Sequence, residues 1–200
     1  MNARRRLTVS LLALALAALA CNVPGATTPT GAPAACAIAP DASIIAQQPD
    51  WRAAFGCPTS NPSMDAQVTW QAFEHGYLLD TDAEATVITV LFGDGRLAAY
   101  PDDWQPGTPS TDPSLVPPQG LYQPSGNFGW VWRSHPEVAN TIGWATLDGV
   151  QASAGLVQEF ASHGTAIVYA PNGDLLALFS QAGQWARLRV KTVPGYYGTP

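Results

Sequence analysis

Basic residues are scarce in this sequence: nine Lys and Arg stand against fifteen Asp and Glu, and lysine occurs once, at Lys191. Three of the nine, Arg4, Arg5 and Arg6, lie at the extreme N-terminus, so a chain without them carries six basic residues against fifteen acidic ones, a net −9. Such a chain cannot neutralise a phosphate backbone, which excludes nucleic acid and anionic membrane as partners held by bulk charge. Cysteine occurs only three times, and neither Cys36 nor Cys57 has a second Cys or a His at ligand spacing, which speaks against a metal site. No Gly-x-Ser-x-Gly elbow accompanies the three His, so nucleophilic catalysis has no recognisable apparatus. A phosphate-binding glycine loop is missing too, since Gly93-Asp94-Gly95 reads as a hairpin turn, and nothing calls for a cofactor. The longest run of apolar and small residues, Leu7–Ala20, is shorter than the roughly 20 residues a spanning helix needs.

That run, behind Arg4–Arg6, is the h-region of a signal peptide. It closes with Ala18-Leu19-Ala20-Cys21, which resembles the lipobox of bacterial lipoproteins, where the Cys becomes the lipid-bearing N-terminus. The expectation is an extracytoplasmic protein held to the membrane by a lipid on Cys21; ordinary secretory cleavage leaving a free Cys21 is the alternative. Lipidation leaves Cys36 and Cys57 as an even pair in a compartment where disulfides persist. Their bridge would close a loop worth about 3 kcal/mol on the chain-entropy model, against the alternative of two buried thiols. Asn22–Ala35 is rich in Pro, Gly, Thr and Ala without charge, and reads as a tether.

The full sequence is 46% apolar, ample for a packed core, and the pattern of the remainder repeats. Pro49–Thr59 (PDWRAAFGCPT) and Pro136–Thr146 (PEVANTIGWAT) share a layout 87 residues apart, and the same offset pairs Gln71 with Gln158, Phe73 with Phe160, Leu91 with Leu178 and Phe92 with Phe179. Ser134-His135-Pro136-Glu137 fits a capping box, and Gly143 stands where a left-handed glycine would end the helix. Downstream of each short helix the apolar period becomes two, with turn signals at His75-Gly76, Gly93-Asp94-Gly95, His163-Gly164 and Pro171–Asp174. The expected fold is α+β and β-dominated: two tandem repeats, each a short helix plus an antiparallel meander of about four strands. In numbers, 1–20 is the signal peptide, 21–35 the lipidated Cys and tether, 36–100 the first repeat, 101–120 a Pro-rich linker, 121–190 the second repeat and 191–200 a tail.

Phe55-Gly56-Cys57-Pro58 with Phe73-Glu74-His75-Gly76, and Ile142-Gly143-Trp144-Ala145 with Phe160 and Gly164, resemble the LGFP repeats of bacterial cell-wall proteins. Phe128-Gly129-Trp130-Val131-Trp132 before the second helix resembles a segment of tandem-repeat bacterial surface lipoproteins. The resemblance implies an envelope-associated binding or anchoring module, and it carries no catalytic residue across.

Seven Trp suggest carbohydrate stacking, with core packing as the competing reading. Trp51, Trp70, Trp132, Trp144 and Trp185 face apolar residues at the repeat offset and are assigned to the core. Trp104 and Trp130 face Lys191 and Ser43 and are therefore the candidate ligand-binding residues. Asp80-Thr81-Asp82-Ala83-Glu84 reads as a solvated turn because it lacks the central Gly and distant Glu of a calcium loop. The function expected is a non-catalytic, lipid-anchored binding module for cell-wall glycan or another surface protein. A weak hydrolase acting on envelope polysaccharide, using carboxylates such as Asp102 and Asp103 with His75 or His163, is the alternative, and a structural subunit of a surface complex is a third.

Overall fold

The period-two segments become eight strands of a single antiparallel sheet, in the spatial order Leu97–Pro101, Val87–Phe92, Gly76–Asp80, Ser63–Phe73, Gln151–Phe160, Thr165–Tyr169, Leu175–Phe179 and Gln184–Leu188. The computed structural model describes residues 34–81, 86–169 and 173–188. The leader, Cys21, the tether as far as Pro33, Asp82 and Glu84, Pro171 and Asn172, and the 191–200 tail lie outside the described residues. The first half runs α1 (Ala42–Gln47), α2 (Trp51–Phe55), β1 (Ser63–Phe73), β2 (Gly76–Asp80), β3 (Val87–Phe92) and β4 (Leu97–Pro101). The second runs α3 (Gly126–Ser134), α4 (Pro136–Ile142), β5 (Gln151–Phe160), β6 (Thr165–Tyr169), β7 (Leu175–Phe179), a 3-10 turn at Ser180–Ala182, and β8 (Gln184–Leu188). The protein is thus β-dominated α+β, as its pattern implies. No described helix is long and apolar enough to cross a membrane.

The halves are joined side by side. β1 pairs with β5 through Val68↔Ser153, Gln67↔Ala154 and Ala66↔Gly155. A Cβ on Gly155 would come within 2.4 Å of the Val68 Cγ2 and 2.9 Å of the Tyr169 carbonyl oxygen, so the two strands meet closely enough there that only Val68 can carry a side chain into the space. The outer strands also meet. Leu97 N–H donates to the Gly183 carbonyl at 2.7 Å and Trp185 N–H to the Gly95 carbonyl at 2.9 Å, around the bridge Arg96↔Gln184. The sheet therefore curls into a barrel that closes where β4 and β8 begin.

Alternation sorts the side chains of this barrel. Val68, Trp70, Leu79, Leu91, Val168, Leu176 and Leu178, with Tyr77, Leu97, Val157, Ala166 and Trp185 against them, form one cluster drawn from all eight strands, which is the barrel interior. The opposite face carries two clusters, each capped by a helix pair from the other half of the chain. Phe128, Val131, Trp132, Val138 and Ile142 of α3 and α4 cover Phe73, Leu78, Ile88, Val90 and Phe92. Ile44 and Phe55 of α1 and α2 cover Leu156, Phe160, Ile167, Leu175 and Ala177. Helices of this length are marginal alone, so burial holds them; a fully buried side chain such as Phe128 contributes about 2–3 kcal/mol.

The segments after α2 and α4 run across the ends of β5 and β1. Pro58 bridges Phe160 and Ala145 bridges Phe73; Thr59 N–H donates to the Glu159 carbonyl at 2.9 Å and Thr146 N–H to the Ala72 carbonyl at 2.8 Å. Two buried glutamines anchor these crossings. Gln71 Nε2 donates to the Leu147 carbonyl, while Gln158 Nε2 donates to the Ala39 and Ser60 carbonyls and its Oε1 accepts from Asp41 N–H. The expected bridge is present: Cys36 and Cys57 form a disulfide with Cα atoms 5.5 Å apart, tying the segment before α1 to the one after α2.

Three local expectations are corrected. The capping box is not formed, because Ser134 is already the last residue of α3 and its hydroxyl donates to the Trp130 carbonyl; His135 alone separates the helices. The glycine stops at Gly56 and Gly143 are real, but with φ 75°, ψ −160° and φ 75°, ψ −153° they are extended rather than left-handed helical. That region is open essentially to glycine alone. Lastly, α1 and α3 had no counterpart in the sequence pattern, since Gly126–Ser134 mixes two glycines with β-branched and aromatic residues and becomes helical through what it covers.

Candidate functional site

The two ends of the barrel are built from corresponding strand positions and finished differently. At one end the inner face presents Ala72↔Tyr77 across β1 and β2, then Tyr77↔Leu91 and Leu91↔Leu97. At the other it presents Glu159↔Ala166, Ala166↔Leu178 and Leu178↔Trp185. Trp185 crosses to the first end, where its ring meets Tyr77 edge-on at 5.9 Å and its Nε1 donates to the Phe92 carbonyl at 2.8 Å. Arg187 completes that end, its guanidinium 5.9 Å from the Tyr77 ring centroid, bonded to the Tyr77 hydroxyl and paired with Asp174 at 3.0 Å.

Outside this aromatic plug lies an open groove of about 540 Å³, lined among others by Glu74, His75, Tyr77, Asp94, Thr141 and Trp185. Each wall follows from a local rule. Glu74 and His75 sit in the β1–β2 turn, with their N–H groups donating to the Trp144 and Ile142 carbonyls, and Trp144 N–H returns a bond to Glu74 Oε2 at 2.9 Å. Asp94 sits in the β3–β4 turn, where its bonds from the Arg96 side chain and N–H hold its carboxyl below the usual range. An aromatic corner edged by carboxylates offers a sugar ring or an organic cation both a stacking face and hydrogen-bond acceptors.

The opposite end is a cavity of about 450 Å³ bounded by Thr89, Leu97, Ala99, Glu159, Ala166 and Leu178, among others. The expected Trp residues lie elsewhere. Trp130 lines a pocket of about 260 Å³ with Thr108, Asp112 and Arg133. There the Arg133 guanidinium donates to the Ser110, Pro109 and Pro124 carbonyls, holding the Pro-rich segment on α3. Trp104 is half-buried, and its indole N–H has no hydrogen-bond partner. The two do not share a cavity. Of the residues assigned to the core, Trp70 and Trp132 are buried, whereas Trp51, Trp144 and Trp185 are half-buried.

The residues considered for catalysis are dispersed. His75 lines the aromatic groove, His163 lies in the β5–β6 turn with φ 58°, and Asp102 accepts bonds from Trp104 N–H and Asn127 Nδ2. Among the described residues no three His, Cys, Asp or Glu side chains are placed to hold a metal ion together. Sequence reasoning missed the aromatic groove because its parts looked like two turns and one core Trp. Their meeting depends on barrel closure, for which the turn glycines and Trp185 gave no separate signal. No protein-family model, curated protein or solved structure matches this chain.

Proposed function

We propose that this is a lipid-anchored, non-catalytic binding module on the extracytoplasmic side of a bacterial cell envelope, built by duplicating one unit of two short helices and four strands. The duplication is supported by the recurring element order and by bridges and hydrogen bonds that recur at the 87-residue offset. The address is supported by the Leu7–Ala20 run before Cys21, by the tether composition, and by a disulfide suited to an oxidising compartment. The likeness to LGFP repeats points the same way.

The observation that carries binding is the groove in which Tyr77 and Trp185 form an aromatic corner between Glu74 and Asp94. Envelope glycan is the ligand class that fits it, with another surface protein as the other partner of the same reading. The test is retention on purified cell wall: wild type is retained, Asp94→Asn together with Glu74→Gln is released, and Trp104→Ala and Trp130→Ala show whether those residues add contacts. A wild type that is not retained refutes the glycan version. For the anchor, a fatty-acid probe labels wild type and not Cys21→Ala; equal labelling refutes it.

A hydrolase acting on envelope polysaccharide is the second reading, favoured by Glu74, His75 and Asp94 lining one groove. Release of reducing ends from cell-wall polysaccharide, lost in Glu74→Gln, would establish it in place of the first.

A further inference from the structure

We infer that the barrel end opposite the aromatic plug is a separate binding site for a small organic cation with an apolar body. At the plugged end the chain supplies its own cation and bulk: Arg187 lies over Tyr77, and Trp185 fills the space beside it. The strand registers identify the corresponding residues at the other end. Tyr77 and Ala166 each flank the inner-face leucine, Leu91 or Leu178, from one side; Leu97 and Trp185 flank it from the other. One step further out, Ala99 lies opposite Thr89 where Arg187 lies opposite Leu176. Tyr, Trp and Arg at one end are thus Ala, Leu and Ala at the other, and the volume they would fill stands open as a cavity of about 450 Å³. That size suits a small ligand.

Charge at this end is reversed as well. Ala72, the neighbour of Tyr77, corresponds to Glu159, the neighbour of Ala166. Glu159 lines the cavity and takes part in neither of the arginine–carboxylate pairs, Arg96 with Asp94 and Arg187 with Asp174, nor in the His135–Glu137 contact. Leu97, Ala166 and Leu178 form an apolar floor, and the Thr59 and Thr89 side chains stand at its edge. A protonated amine on an apolar skeleton would place its charge on Glu159 and its body where Tyr77 and Arg187 sit at the other end. The strongly acidic balance of the chain favours the same sign of guest. This inference does not depend on the glycan groove, which uses other residues at the other end.

The test uses the purified chain with its disulfide intact, titrated with phenethylammonium and, in parallel, with neutral 2-phenylethanol, and followed by amide chemical shifts. Phenethylammonium is expected to bind, shifting the amides of Ala99, Glu159 and Ala166, with 2-phenylethanol weaker by about tenfold and the difference shrinking as salt is raised. Glu159→Gln, an exposed substitution, is expected to remove that preference by weakening the amine about tenfold. Ala99→Arg, which restores the residue of the plugged end, is expected to abolish binding of both. The inference is overturned if the amine does not bind, if amine and alcohol bind equally to wild type, or if Glu159→Gln leaves the preference intact. Should Ala99→Arg fail to fold, the Glu159→Gln comparison decides alone.

Discussion

Gln71 and Gln158 occupy corresponding positions, are both fully buried, and should nevertheless differ sharply in what they contribute to stability. Gln158, at 0% exposure, makes three hydrogen bonds of 2.9, 3.0 and 3.1 Å, which hold Asp41, Ala39 and Ser60. Gln71, at 1%, makes one of 3.1 Å to Leu147, and its Oε1 is buried without a partner. Replacing either by Met keeps an unbranched chain of similar length and removes only the amide. At about 1 kcal/mol net per bond, Gln158→Met should cost about 3 kcal/mol. Gln71→Met loses about 1 kcal/mol but also removes an unsatisfied buried oxygen whose penalty is about 1–3 kcal/mol, so its net effect should lie between zero and about 2 kcal/mol of stabilisation. The gap of about 3–5 kcal/mol corresponds to a urea midpoint difference of roughly 1.5–2.5 M for a slope of about 2 kcal/mol/M. Equilibrium unfolding of the oxidised protein, followed by fluorescence of the buried Trp70 and Trp132, measures it. Equal midpoints, or a lower one for Gln71→Met, would refute the reasoning.

Further predictions concern the helix ends and the staple. Gly143→Ala forces a side chain into φ 75°, ψ −153° with its Cβ 2.4 Å from Glu74 Oε2, and should cost about 2–3 kcal/mol. Gly120→Ala, at φ 82° with nothing within 4 Å of the new Cβ, isolates the backbone cost and should lose only about 1 kcal/mol in the same urea assay. Cys36→Ala with Cys57→Ala opens a bridge spanning 21 residues and should lower stability by about 3 kcal/mol, measured against the oxidised parent. Asp41 caps α1, and bonds from the Ser43 hydroxyl and N–H, with a smaller one from Ala42, hold its carboxyl below its ordinary value of 3.8. Because the folded value is depressed, this contribution is complete above about pH 4 and is lost as pH falls through the folded value. Asp41→Asn should therefore flatten the acid limb of the pH–stability curve, and an unchanged limb would assign acid loss to other groups.

The strands were legible because each keeps one face in a core, and a period of two survives in a string of letters. Leu78, Ile88, Val90 and Phe92 alternate for a helix pair on one side, while Leu79 and Leu91 alternate for the barrel on the other. The polar starts of the long strands were not legible. In Ser63–Gln67 only Met64 and Ala66 alternate with polar residues, and Met64 is exposed, so the stretch is extended because β5 pairs with it. Likewise Gly126–Ser134 carries the wrong composition for a helix and becomes one through Phe128, Val131 and Trp132 packed onto the strands of the first half. The candidate site lay furthest from reach. Tyr77 and Trp185 are separated by more than half the chain, and only the meeting of β4 with β8 makes them neighbours.

The narrow place beside Gly155 bears on how such a chain could have arisen. Two separate copies of one unit, pairing β1 with β1 as an isologous dimer, must present the same residue from both sides of the axis. Val68 from each copy would then compete for a space that, at 2.4 Å, does not admit even a second Cβ. Under the proposed duplication, fusion into one polypeptide removes that constraint, because two positions that were once obliged to be identical can diverge into a valine and a glycine. A dimer of the first half would therefore need a different register at this place, whereas the second half, with glycine on both sides of the axis, meets no such clash.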